Sequence, residues 1–221
     1  MKKIFILGLL TTTFISCSTD NQLENSNSKN ETKTVLGLKS DENNSIFEEY
    51  INSQEYIVYD EAVSDFTSLL NYKGSLSDIN SMEKLESYVN NNLHLTNFSS
   101  YTQFSSKKTN LLNLIATLKG TPSYVKFKDL VLATDLTILE GYFGTWFGSN
   151  RTANADCEKD YKSCNDDVTS QYAKSMKETL QAQKDGSISS RDAHNNYVMA
   201  EVALKIGRDN CDSAFKDCIT K

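Results

Sequence analysis

Four of the five cysteines fall into two pairs of identical spacing, Cys157-x6-Cys164 and Cys211-x6-Cys218. In one helix, residues seven apart share a face but stand about 10.5 Å apart along the axis, and Cα atoms more than about 7 Å apart cannot be bridged. Two antiparallel helices remove the difficulty. Cys157 then comes level with Cys218 and Cys164 with Cys211, because both pairings share one midpoint, between Ser187 and Ile188. That midpoint adjoins Asp185-Gly186-Ser187, a strong turn signal. Both flanks carry apolar residues at helical spacing: Cys157, Tyr161, Cys164, Val168, Tyr172, Met176 and Leu180 before the turn, and Tyr197, Ala200, Leu204, Cys211, Phe215 and Cys218 after it. The pattern predicts an αα-hairpin riveted at two levels, Cys157–Cys218 and Cys164–Cys211. The alternatives are free thiols and a four-cysteine zinc site, which normally wants about two to four residues between paired ligands.

The fifth cysteine stands apart, near the start. Met1 is followed by Lys2 and Lys3, then by a mostly apolar run from Ile4 to Ile15, then by Ser16-Cys17. A charged lead, a short apolar stretch and a small residue at the end form a secretory signal, too short for the roughly 20 residues a spanning helix needs. The tetrad Phe14-Ile15-Ser16-Cys17 resembles the lipobox of bacterial lipoproteins, with phenylalanine where leucine is usual. The resemblance implies removal of residues 1–16, acylation of Cys17 with a palmitate-type lipid, and a mature protein held at the cell envelope, periplasmic or surface-exposed. An odd cysteine is awkward in an oxidising compartment, and a lipid on Cys17 leaves an even four. An ordinary secretory signal with an incidental cysteine is the alternative.

Removing residues 1–17 takes away two lysines and no acid, leaving 21 basic against 29 acidic residues from the original 23 and 29. Such a chain lacks the clustered Lys and Arg that nucleic acid requires, so nucleic acid is excluded as a partner. Attachment to a membrane falls to the acyl chains.

Residues 17–44 are dominated by Ser, Asn, Asp, Glu, Lys and Thr and read as a disordered tether. From Ser45 the helical period takes over. Ser45-Ile46-Phe47-Glu48 has the form of a capping box, with a stripe of Phe47, Ile51, Val58, Ala62, Phe66 and Leu69 running to Gly74 as a C′ residue. Asn80 with Glu83 suggests a second start, for a short helix to about Val89. A third helix lies within Phe98–Leu118. Gly120, Thr121 and Pro122 then close one helix, cap the next and occupy its first position, opening a long apolar helix to about Phe147. The expected fold is all-α: a bundle of about six helices, with a helical core over residues 45–150 and the stapled hairpin, residues 151–221, packed on or beside it.

Candidate sites are few. Tyr142, Phe143, Trp146 and Phe147 concentrate aromatic surface near a helix end; exposed, they form a binding patch, and buried, they are core. The segment from Gln181 to Asp192 has a partial likeness to an EF-hand loop, with Asp185, Ser189 and Asp192 as a weak calcium set, but glutamines replace the first acidic ligands. The competing reading is a turn followed by a helix capped by Ser189, with Asp192 completing the box. His94 and His194 are a hundred residues apart, neither with a metal-pair partner at helical spacing. No nucleophile elbow, phosphate loop, dinucleotide fingerprint or zincin motif is present, and no cofactor is implied. The expectation is a lipid-anchored binding or interaction protein for an unidentified protein or small molecule. An extracytoplasmic carboxylate-based hydrolase and a weak calcium-binding module are the other readings.

Overall fold

Helix starts in this chain are written by hydroxyl side chains. Ser53, Ser81, Ser100, Thr121 and Ser189 each adopt extended backbone and accept a hydrogen bond from the N–H three residues on, satisfying a donor that the first turn leaves unpaired. The computed structural model describes residues 42–147 and 155–220, all within one compact unit, Lys39–Lys221. Among them run eight α-helices: α1 over residues 42–51, α2 Gln54–Leu70, α3 Met82–Asn92, α4 Tyr101–Lys119, α5 Pro122–Ala133, α6 Leu136–Phe147, α7 Ala155–Lys184 and α8 Ser190–Ile219. Short 3-10 turns, Leu76–Ile79 and Leu93–Leu95, flank α3. No strand occurs among the described residues, and the fold is all-α. The signal segment, Cys17, the tether up to residue 41 and the 150/151 boundary lie outside the described residues.

The helix count exceeds the expected six because two long helices are each divided. The chain is already helical at residue 42, so Ser45 lies inside α1 instead of capping it, and the expected tether boundary at 44 is too late. The break comes at Asn52-Ser53, where Ser53 Oγ accepts from Tyr56 N at 3.3 Å and donates to Tyr50 O at 2.7 Å. This break rotates the apolar stripe. Tyr56, Tyr59, Val63, Phe66 and Leu70 face inward, while Val58 is exposed. The helix ends at Asn71, whose φ of 47° is left-handed, rather than at Gly74. The second division separates α5 from α6. Thr134 is extended, and the Asp135 carbonyl accepts from Ile138 N and Leu139 N to start the next helix. The Thr134 carbonyl accepts a hydrogen bond from Lys177 Nζ of α7. The cap of α3 is Ser81, not Asn80, and α4 begins at Tyr101 behind Ser100.

The hairpin stands as the cysteine spacing requires. Helices α7 and α8, 30 residues each, run antiparallel, with Cα–Cα distances of 5.9 Å for Cys157–Cys218 and 5.8 Å for Cys164–Cys211. At the turn, Gly186 takes φ +71°, its N–H bonds to Gln183 O and that of Ser187 to Ala182 O, the paired closure favoured by a left-handed glycine. Midway along the rods, a Cβ at Gly207 would come within 2.9 Å of both Val168 methyl carbons, so the missing side chain sets how closely the helices approach.

The hairpin is not an appendage beside a separate core. Tyr172, Ala173, Met176 and Leu180 of α7 and Tyr197, Val198, Val202, Leu204 and Ile206 of α8 belong to the same buried cluster as Phe47, Phe66, Phe104, Phe127 and Phe143. Only the far end of the rods has its own small cluster, Cys157, Tyr161, Cys211 and Phe215. Val168 packs against both.

Candidate functional site

Where the turn half of the hairpin enters the bundle, the interior is unusually polar. Tyr50 of α1, Tyr56 and Tyr59 of α2, Tyr124 of α5, Tyr172 of α7 and Tyr197 of α8 are all buried. Tyr172 donates its hydroxyl to Glu201 Oε1 at 2.6 Å, and the hydroxyls of Tyr50 and Tyr197 are hydrogen-bonded to each other. The hydroxyls of Tyr59 and Tyr124 have no hydrogen-bond partner among the described residues. Glu201 is 1% exposed. Burial pushes its carboxyl up to about 7; the Tyr172 hydrogen bond opposes that rise, Asp60 adds to it, and Lys205 opposes it. The same burial, with the Glu201 charge nearby, holds the hydroxyls of Tyr56, Tyr59 and Tyr172 well above the usual phenol range.

Against this cluster, between the C-terminal end of α4 and the turn of the hairpin, lies a cavity of about 610 Å³. Its charged lining comes from four helices: Lys119 of α4, Lys128 and Asp129 of α5, Lys184 of α7 and His194 of α8. Tyr124, Leu132 and Leu180 form its apolar wall. Lys119 is half-buried. Its ammonium donates to Gln183 Oε1 at 3.2 Å and stands 5.9 and 5.7 Å from the ring centres of Tyr124 and Tyr197. Desolvation lowers the Lys119 ammonium to about 8. Desolvation and the nearby Lys119 charge also lower His194, which therefore favours its neutral form.

The residues singled out in the sequence are placed elsewhere. Phe143 is buried between Phe127 and Tyr172, and Tyr142, Trp146 and Phe147 are half-buried against the core, with Trp146 edge-on to Phe47 at 3.9 Å. The exposed large apolar residues are others, such as Ile57, Val58 and Ile138. Ser189 Oγ accepts from Asp192 N at 3.1 Å and donates to Asp192 Oδ2 at 2.7 Å, while Asp185 accepts from the Gln181 amide. The loop residues thus act as a cap and a turn. Among the described residues, no group of three or more His, Cys, Asp or Glu gathers as metal ligands, and no helix is long and apolar enough to cross a membrane.

Sequence reading missed Glu201 and Lys119, though one left a signal. Glu201 sits four residues after Tyr197 and three before Leu204, so it interrupts the inward stripe of α8 with a carboxylate. Lys119 gave none, because a lysine before a closing glycine is an ordinary helix-end cation. The chain matches no protein-family model, no curated protein and no solved structure.

Proposed function

We propose that this chain is the precursor of a lipid-anchored helical binding protein that works outside the cytoplasm. The distribution of the cysteines carries the reading. Four are consumed in two bridges between α7 and α8, which persist in oxidising compartments. The fifth, Cys17, stands at the end of a signal-like leader. Metabolic labelling with a palmitate analogue in a bacterial host tests it. The full-length protein should take up label and fractionate with membranes, and Cys17→Ser should do neither. A wild-type chain that stays unlabelled, or a Cys17→Ser chain that labels equally, overturns lipid anchoring.

Binding is favoured over catalysis by the cavity beside Lys119, whose ammonium is held by an amide oxygen and two aromatic rings. The hydrolase reading draws on Glu201, since a carboxyl raised to about 7 suits proton transfer. Glu201 is 1% exposed, however, and a substrate reaches it only if the helices packed around it move apart. Affinity capture with the full-length protein should recover a partner or small molecule. A turnover abolished by Glu201→Gln would overturn the binding reading.

A further inference from the structure

Among the described residues, several lysines of this protein are paired with carboxylates, and most of those that are not, such as Lys73, Lys84, Lys159, Lys184 and Lys216, are exposed to solvent. Lys107, Lys108, Lys126 and Lys205 each lie 2.6 to 2.8 Å from a carboxylate. Lys119 is different. Among the described residues no carboxylate comes within ion-pair distance of it, although acids outnumber bases 29 to 23 in the chain. A half-buried ammonium left with an amide oxygen and aromatic faces is costly to keep charged. The surrounding cavity adds Lys128, Lys184 and the neutral-leaning His194 against a single lining acid, the exposed Asp129, 3.5 Å from Lys128. The result is a locally cationic recess in an acidic protein. It is backed by apolar surface from Leu132, Leu180 and the Tyr124 ring.

We propose that the cavity bounded by Lys119, Lys128, Lys184 and His194 binds a small organic anion: a carboxylate or phosphate monoester carrying an apolar or aromatic body. The acid group takes the place of the counterion that Lys119 lacks, with Lys128 and Lys184 closing around it and His194 offering a neutral donor. The body of the ligand lies on Leu132, Leu180 and Tyr124. A volume of about 610 Å³ falls within the roughly 300–1,000 Å³ usual for small-molecule sites. The inference rests on the binding-protein reading and supplies its ligand class.

Calorimetric titration of full-length protein in mild detergent with benzoate, phenyl phosphate, inorganic phosphate and benzyl alcohol tests it. Phenyl phosphate or benzoate should bind, and whichever binds more tightly identifies the head group. Lys119→Met, which keeps the stem packed on the tyrosines, should weaken that binding about tenfold or more, the loss expected for one charge-assisted contact. Lys174→Met, on the outer face of α7, should leave it unchanged. Carbon NMR of isotopically methylated lysines gives a readout in the wild-type protein, free of any folding defect in a variant. The Lys119 resonance should titrate near 8 without ligand and move upward with it. The site is overturned if neither organic anion binds at about 10 mM, if Lys119→Met binds as wild type, or if inorganic phosphate or benzyl alcohol binds as tightly as phenyl phosphate. None of these outcomes bears on acylation of Cys17, which labelling reads separately.

Discussion

The two ends of the α7–α8 hairpin are held by different physics. Toward the turn, the rods are wedged among α1, α2, α4, α5 and α6, and their inner faces join a continuous core of aromatic and aliphatic side chains. Toward the free ends, beyond Val168 and Gly207, burial shrinks to Cys157, Tyr161, Cys211 and Phe215. Each rod is about 45 Å long at 1.5 Å per residue, longer than the packed bundle can cover. Two helices alone bury too little apolar surface to offset the entropy of ordering them, and the bridges stand where the core runs out. Among the described residues, few polar contacts add to this: Asn165 is satisfied within its own helix, donating to Tyr161 O, and Tyr161 donates its hydroxyl across the rods to Asp212 Oδ1 at 2.8 Å. Covalent closure thus supports one end, and hydrophobic burial the other.

Removing both bridges tests that division most severely. With sequence separations of 61 and 47 residues the bridges are nested, so their contributions are not independent. The inner one closes a long loop, and the outer then closes only about 14 residues more, the difference between those separations. Taken together, Cys157→Ser with Cys164→Ser, Cys211→Ser and Cys218→Ser should cost roughly 4–7 kcal/mol in denaturant unfolding. Hydrogen exchange should show amides at the free ends opening while those near Tyr172 and Tyr197 stay protected. Equal loss of protection at both ends would break the comparison.

Truncating one aromatic at each end sharpens it. Phe143 is 1% exposed and packs against Phe47, Phe127 and Tyr172, so Phe143→Ala should cost about 3–5 kcal/mol. Phe215 meets Tyr161 in the four-residue cluster and is already held by the neighbouring bridges. Phe215→Ala should cost less than half as much, measured by urea midpoint at constant slope.

The buried end should also be the pH-sensitive one. The Glu201 carboxyl lies at about 7 when folded, above the unfolded value of about 4.3, so the folded state holds the extra proton between them. Stability from this group is greatest below about pH 4, falls as pH rises through about 7, and is then level. The full effect is on the order of 3 kcal/mol. Glu201→Gln should remove this slope and stabilise the protein at about pH 8. Lys119 acts in the opposite sense at higher pH. Its folded value, about 8, lies below the unfolded one of about 10.4, so stability rises across that window. The smallest effect is local to the turn. Ser189→Ala, by deleting the cap of α8, should cost about 1 kcal/mol in thermal unfolding, with both bridges intact by mass spectrometry of non-reduced digests.

The hairpin was readable because its determinants are periodic and local: inward residues at helical spacing, two cysteine pairs about one midpoint, Gly186 for the left-handed turn, and Ser189 for the cap. Thr121 and Pro122 were readable for the same reason. The divisions at Asn52-Ser53 and Thr134-Asp135 were not, because each interrupts a run whose composition suits a continuous helix. The first break turns Tyr56 and Tyr59 inward in place of Val58. The second leaves a carbonyl that is met by Lys177, 43 residues away.

By itself, then, the sequence determined an all-α chain ending in an antiparallel hairpin with Cys157 level with Cys218 and Cys164 level with Cys211. Once the four cysteines form two bridges, helical period and disulfide reach favour this antiparallel register about the Asp185-Gly186-Ser187 turn. Tertiary structure alone decided that Glu201 is buried beside Tyr172, and that Lys119 faces a cavity shared with Lys128, Lys184 and His194. Burial and charge neutralisation depend on which helices meet, and those residues come from helices brought together only by packing of the core.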